Sequence, residues 1–179
     1  MIYAFDPLES LGAPFYNAGY CGAIESNALL VRVLSRGGFR IRYRELCLAC
    51  DEPTASPDTN GPPVERGRRA DGRPVVRAMD EAGVTGTCQY DLVRPHRGEH
   101  PAGASVGYIE GLGVEERARG RGLGRALLRA AIAHLVAMGC ASVWLTTGSE
   151  NYRAQNLYFS MGFRLVDSAL TLRLGEERA

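Results

Sequence analysis

Between Val114 and Gly139 the chain reads VEERARGRGLGRALLRAAIAHLVAMG. Four arginines and three alternate glycines (Gly120, Gly122 and Gly124) fall within nine residues, and an apolar, alanine-rich run follows at once. Glycines remove side chains where main-chain N–H groups must crowd a ligand, and the first N–H groups of a helix have no partner within it. Flanking guanidiniums add charged donors, so this junction suits a pyrophosphate. Two known nucleotide patterns fail here. A dinucleotide fingerprint needs a third glycine where Arg125 or Leu127 stands, and a P-loop needs a lysine that this window lacks. What fits is Arg119-x-x-Gly122-x-Gly124. Alternate glycines also make a tight turn coated by arginines, and the spacing alone leaves both readings open. A nucleic-acid surface is not expected, since the run has no interleaved aromatics and the chain's net charge is +1.

A second constellation pairs Cys47-x-x-Cys50 with His96-x-x-x-His100, formally a zinc ligand set. The gap between the pairs is far longer than a zinc finger's roughly 12–15 residues. A strand continuing through Cys47 would also send the two thiols to opposite faces. No metal site is expected. His134, on the rim of an apolar helical arc, is read as packing rather than reacting.

These residues need elements to hold them. At 100° per residue, Leu123, Leu127, Leu128, Ala131, Ile132, Leu135 and Met138 share one half of a helix that Gly139 ends, with Arg125 and Arg129 outside it. Before it, SVGYIEGLGV (105–114) reads as a strand whose late glycines mark a bulge or a close ligand approach. After it, ASVWLTT (141–147) is the next strand. ENYRAQNLYFSM then places Ala154, Leu157, Tyr158 and Met161 on one helical face, with Ser149 as N-cap and Gly162 as stop. FRLV and ALTLRL close as a pair of strands. Upstream, VVRAM and VTGTCQYDL form a hairpin about Asp80–Gly83. Nearer the N-terminus, Leu29, Leu30, Val33 and Leu34 give a helix one apolar face. Phe39, Ile41 and Tyr43 alternate with Arg40, Arg42 and Arg44 as a strand with one buried face. Residues 51–74 and 94–104 read as loops. The alternation of strand and helix predicts an α/β (α+β) fold: a mixed, mostly antiparallel sheet of about six or seven strands flanked by helices.

Length and composition bound the rest. The 179 residues are 45% hydrophobic and 23% charged, as expected for one globular domain over 1–179. No run approaches the roughly 18 apolar residues of a membrane span. An early acidic N-terminus without a basic segment argues against a signal peptide, and five cysteines at low density fit reduced thiols. A cytoplasmic protein with no membrane partner is expected.

Val114–Leu128 and the strand before it resemble the acetyl-CoA-binding motif of the GCN5-related N-acetyltransferase (GNAT) superfamily, whose core is [RQ]-x-x-G-x-[GA]. A second match lies 27 residues past Gly124, where Asn151, Ala154, Tyr158, Gly162 and Phe163 are similar to that superfamily's N-x-x-A-x-x-x-Y and Gly-Phe. The resemblance covers roughly Val75 to Leu174. It implies direct transfer of an acetyl group from acetyl-CoA to an amine in a ternary complex, with no metal and no covalent enzyme intermediate. It further implies that the pantetheine arm lies along the strand ending at Leu112, Gly113 and Val114. A bulge there would free N–H groups, and Val114 would polarise the thioester carbonyl. The amides of Arg119, Gly120, Arg121, Gly122, Leu123 and Gly124, with Arg125 beside them, would hold the pyrophosphate. Tyr158 matches the usual general acid for the leaving thiolate, although it shares its helix's apolar face and also reads as core. Glu110 is the implied base for the acceptor, with an exposed strand glutamate and a water chain as the other readings. Asn151 either bonds the cofactor arm or caps its helix. A small cationic amine is the expected acceptor, and a protein N-terminus or lysine is the runner-up. A non-catalytic acyl-CoA-binding module is the rival from another class, and a homodimer is compatible with all of these.

Overall fold

The computed structural model describes residues 23–54, 61–93 and 105–174. Its centre is one eight-stranded sheet. In chain order the strands are β1 (Ala23–Ile24), β2 (Phe39–Cys50), β3 (Glu65–Arg68), β4 (Pro74–Asp80), β5 (Gly83–Val93), β6 (Ser105–Val114), β7 (Cys140–Gly148) and β8 (Arg164–Leu174). Across the sheet the order is β1-β8-β2-β7-β6-β5-β4-β3. Every neighbouring pair is antiparallel except β6 and β7. That parallel pair needs a crossover, which helix α2 (Leu123–Ala137) supplies. Helices α1 (Ala28–Arg36) and α3 (Tyr152–Phe159) and one 3-10 turn (Glu116–Ala118) complete the described elements. The mixed, mostly antiparallel sheet is the architecture the sequence predicts, with a strand more than counted. The sequence reading lacked two of these strands, β1, which pairs with β8, and β3, which forms inside the expected 51–74 loop by pairing with β4 alone, while the last two expected strands are one.

The core forms where α2 lies on the sheet. Leu127, Leu128, Ala131 and Leu135 are fully buried against Cys88, Tyr90, Ile109, Val143 and Leu145. Burying side chains of this size stabilises by about 1.5–3 kcal/mol each before the entropic cost. Gly107 is what lets α2 approach β6, because a Cβ there would stand 2.7 Å from the Leu135 side chain. From α3, Tyr158 joins the same cluster, followed by Phe163.

Several elements depart from the sequence reading. The strand opening at Phe39 continues to Cys50, and its buried part begins only at Glu45. Ile41 and Tyr43 remain 49% and 44% exposed, since β2 is flanked by β8 alone until Glu45, where β7 joins on the other side. In α1, Leu30, Val31 and Leu34 face Leu170 and Leu172, whereas Leu29 and Val33 point outward. The expected closing pair of strands is a single strand, β8. Its polar Asp167-Ser168 interruption is no turn: Val166 is an extra residue opposite Cys47–Leu48, and the Asp167 carboxylate accepts from Ser168 N at 2.7 Å. The N-cap of α3 is Asn151 rather than Ser149, its Oδ1 accepting from Ala154 N at 3.3 Å.

Candidate active site

The ladder between β6 and β7 ends at Ile109–Leu145. Beyond it β7 stays with β2 as far as Gly148, while β6 stays with β5 as far as Val114, so the sheet parts between them. N–H and C=O groups alternate sides along a strand. Glu115 N donates to Thr85 O at 2.8 Å, toward β5. Alternation therefore turns the N–H groups of Gly113 and Gly111 the same way and those of Leu112 and Val114 into the parting. The bulge expected over Leu112–Val114 lies elsewhere. Register runs Gln89↔Gly111 and then Tyr90↔Ile109, which makes Glu110 the inserted residue. The freed donors come from the divergence of β7, not from a bulge at the end of β6.

The turn that follows is built from glycine geometry. Gly120 and Gly122 have φ of 80° and 78°, left-handed values that cost an L-residue about 1–2 kcal/mol. Gly122 is the N-cap of α2 and brings no side-chain cap to its first N–H groups. Gly124 is already helical, and a Cβ on it would meet Leu157 at an ordinary 3.4 Å. Arg119 Nε donates to Val114 O at 3.1 Å, so this arginine ties the turn back to the strand end. Arg125 donates to Ser160 Oγ at 2.7 Å, linking α2 to the end of α3.

Between this turn, the end of β6 and α3 lies a cleft of about 580 Å³. Leu112, Gly113, Val114, Arg119, Gly120, Gly122, Leu123, Gly124, Arg125 and Asn151 line it, and so does Tyr158. Arg121 does not; it is exposed, and its charge acts on Asp80. Asn151 caps α3 while also facing the cleft. Tyr158 is 6% exposed, its ring lies 5.9 Å from that of Phe163, and its hydroxyl makes no hydrogen bond among the described residues. Burial, with the Cys88 thiol adding to it, pushes the phenol up to about 12. It keeps its proton at neutral pH.

Glu110 does not line this cleft. Its side chain is 13% exposed and accepts from Arg73 Nη1 at 2.5 Å and Arg69 Nη1 at 3.3 Å. Both guanidiniums come from the turn joining β3 to β4, and Gln89 accepts from the same Arg69 nitrogen at 2.8 Å. The sequence reading missed Arg69 and Arg73; their signal was the basic second half of the 51–74 segment. It also missed Arg153 and Leu157 in the cleft wall, and Gln155, whose amide ties α3 to Gly148 O and Ser149 O at the end of β7. No group of three or more His, Cys, Asp or Glu that could hold a metal occurs among the described residues. Cys47 and Cys50 are both buried, and three residues apart on β2 they face opposite sides of the sheet. His96 and His100 lie outside the described residues. No described helix is long and apolar enough to cross a membrane.

A parallel pair of strands joined by a helix and parting beside its glycine-built N-terminus defines an α/β protein with an open cleft at the sheet. The family model for the acetyltransferase (GNAT) family matches residues 42–163, and the chain belongs to that family. Among curated proteins it is similar to the mycothiol acetyltransferase of Pseudarthrobacter chlorophenolicus, 37% identical over 90 residues, which are 50% of this chain and 27% of the relative. The mycothiol acetyltransferase of Kocuria rhizophila is 41% identical over 71 residues, 40% of this chain and 22% of the relative. The chain thus spans about a quarter of the length of these relatives. Of the solved structures, a putative GNAT-family acetyltransferase from Novosphingobium aromaticivorans superposes with a TM-score of 0.59 at 22% identity, over 78% of this chain and 69% of that one. A GCN5-related N-acetyltransferase from Kribbella flavida gives 0.59 at 18% identity, over 83% and 65%. These two likenesses are of fold.

Proposed function

We propose that this chain transfers an acetyl group from acetyl-CoA to the amine of a small cationic acceptor. The observation that carries the reading is the parting of β6 from β7, with the N–H groups of Leu112 and Val114 turned into a cleft that runs from Tyr158 to Gly122. A coenzyme A arm fits these residues. Leu112 would donate to its amides, and the α2 N-terminus with Gly122 would take the pyrophosphate. The N–H of Val114 would hold the thioester oxygen as charge develops there, the kind of donor worth about 3–4 kcal/mol of barrier. The reaction joins the acceptor nitrogen to the acetyl carbon and breaks the carbon–sulfur bond. The ammonium first loses one proton to water. As the carbon–sulfur bond breaks Tyr158 protonates the departing sulfur, and the second proton of the nitrogen returns to the phenol through water. Glu110 sits where the ladder opens, but Arg69 and Arg73 occupy both oxygens of its carboxylate, so proton removal falls to water. The mycothiol acetyltransferase relatives favour a small acceptor over a protein terminus or a lysine side chain.

The test measures binding and turnover separately. Acetyl-CoA should raise the melting temperature of the chain, and free thiol should be released faster with one or more amines of a panel than without any. No thermal shift at millimolar acetyl-CoA would overturn the reading. A shift without thiol release from any amine would instead mark an acyl-CoA-binding module.

A further inference from the structure

The face of the sheet turned away from α2 carries a buried carboxylate that the cleft does not use. Glu45 of β2 stands opposite Gly148 of β7, Cys47 opposite Thr146 and Ala49 opposite Trp144, and Trp144 stands beside Tyr108 of β6. Paired residues share a face, and neighbours along a strand alternate. These side chains therefore lie opposite to Leu48, Leu145 and Ile109, which join α2 in the core. Glu45 is also level with the parting of the sheet. Gly148 lies three residues past Leu145, where the β6–β7 ladder ends, as Leu112 lies three past Ile109 on the other side.

Glu45 is 8% exposed, and among the described residues it makes no hydrogen bond and no ion pair. A carboxylate taken from water with neither a donor nor a cation is costly. Burial pushes this one above its ordinary value. Its surroundings add negative charge. Asp167 of β8 stands opposite Cys47, and after burial the Asp167 and Glu45 carboxylates push the Cys47 thiol up to about 12. Burial also raises Tyr108 to about 12; its hydrogen bond with Thr146 Oγ1, at 3.2 Å, lowers it, and Glu45 raises it further. At Gly148 the Tyr43 hydroxyl takes the place of a side chain, since a Cβ there would meet it at 2.5 Å. Across the parting, Glu110 is already neutralised by Arg69 and Arg73.

We propose that Glu45 selects the acceptor by holding a second ammonium, not the one acetylated, so that the substrate is a small diamine. This rests on the acetyl-transfer reading. The acetyl-CoA cleft opens on the α2 and α3 face, so an acceptor reaches the parting from the other face without crossing the cofactor. The nitrogen that attacks must be neutral, whereas a buried carboxylate calls for a charge that persists. Glu45 also lies one strand beyond β7, and strands stand about 4.8 Å apart. That spacing puts the attacking nitrogen in the parting and the second nitrogen at the carboxylate. The hydroxyls of Thr146, Tyr108 and Tyr43 on the same face add neutral hydrogen-bonding groups.

The probe is 1,4-diaminobutane, titrated calorimetrically into the full chain with coenzyme A present. Glu45→Gln should weaken its binding by about tenfold or more, and Glu45→Asp, which keeps the charge, by less. Both variants should keep the thermal shift by acetyl-CoA. Glu45→Gln should melt no lower than the parent chain, since it removes a buried charge without a partner. In thiol release the parent should prefer 1,4-diaminobutane to 4-amino-1-butanol, whose hydroxyl replaces the second ammonium, by about tenfold in kcat/KM, mostly through KM. Glu45→Gln should erase that preference. No diamine binding, binding that Glu45→Gln leaves unchanged, or loss of the acetyl-CoA shift in both variants would each overturn the proposal. Glu45-dependent diamine binding without thiol release from either amine would keep Glu45 as the anchor and sink the acetyl-transfer reading alone.

Discussion

Tyr158 carries an ionisable group through a mostly apolar setting, between Phe163 and the buried floor that includes Cys88 and Leu127. Raised to about 12, its phenol is fully protonated wherever an alkyl amine, with a pKa of about 10, starts to lose its proton. Turnover should therefore climb with pH as the acceptor deprotonates, and Tyr158 itself should bring no decline below about pH 10. The sign for stability follows from the same shift. A phenol raised from about 10 unfolded to about 12 folded stabilises the fold below pH 10 and loses that contribution between 10 and 12. Tyr158→Phe should lower kcat by about 100-fold, the low end for a positioned acid, and leave acetyl-CoA affinity within about twofold. It should also flatten the fall in melting temperature between pH 10 and 12. Steady-state kinetics and thermal scans across pH check both, and equal losses in kcat and in cofactor affinity would make Tyr158 a packing residue only. In the same assays Glu110→Gln should lower kcat by less than about tenfold and leave its rise with pH in place, since two guanidiniums already occupy the carboxylate and water takes the proton.

The turn before α2 divides its three glycines by what the backbone asks of each. Gly120 and Gly122 are left-handed, whereas Gly124 has helical geometry and room for a methyl group. Gly122→Ala should cost about 1–2 kcal/mol of strain and weaken acetyl-CoA binding by tenfold or more, because the strained residue is the N-cap whose helix offers the donors. Gly124→Ala should be near neutral in both. Calorimetric titration with acetyl-CoA distinguishes them, and an equal loss in the two variants would show that crowding by any side chain, not φ, is what the ligand rejects. The glycine types were legible in the sequence, but their dihedrals were not. Legibility at this scale follows periodicity. The arc of α2, the strand β6 and the helix of Tyr158 were all readable because their apolar spacing repeats over two turns or more. Glu-Arg-Gly-Arg in β3 has no alternation to read and is a strand only because β4 pairs with it. Glu110 was legible as a residue on the right strand, whereas its two arginine partners arrive from 41 and 37 residues away and have no local signature.

At the scale of the whole molecule, the motifs of the second half depend on a strand from the first. β2 lies between β7 and β8, and its residues Cys47, Leu48 and Ala49 are fully buried there. The two motifs that carry the site lie in the second half, yet the family match opens at residue 42 and so takes in most of β2, the strand on which that half rests. Without β2, β7 would keep a partner only along Cys140–Leu145, and Thr146–Gly148, which bound the parting of the sheet, would have none. β8 would lose its pairing along Phe39–Ala49. An unpaired strand edge in place of a central strand exposes both apolar side chains and backbone groups. A chain of residues 53–179 should therefore show no cooperative thermal transition and no acetyl-CoA shift. Adding a peptide of residues 39–50, which supplies β2 alone, should recover part of the near-ultraviolet circular dichroism of Trp144, a β7 residue paired with Ala49. A truncated chain that melts cooperatively within a few degrees of the full one would show that the acetyl-CoA cleft needs only the strands on its own side of the parting.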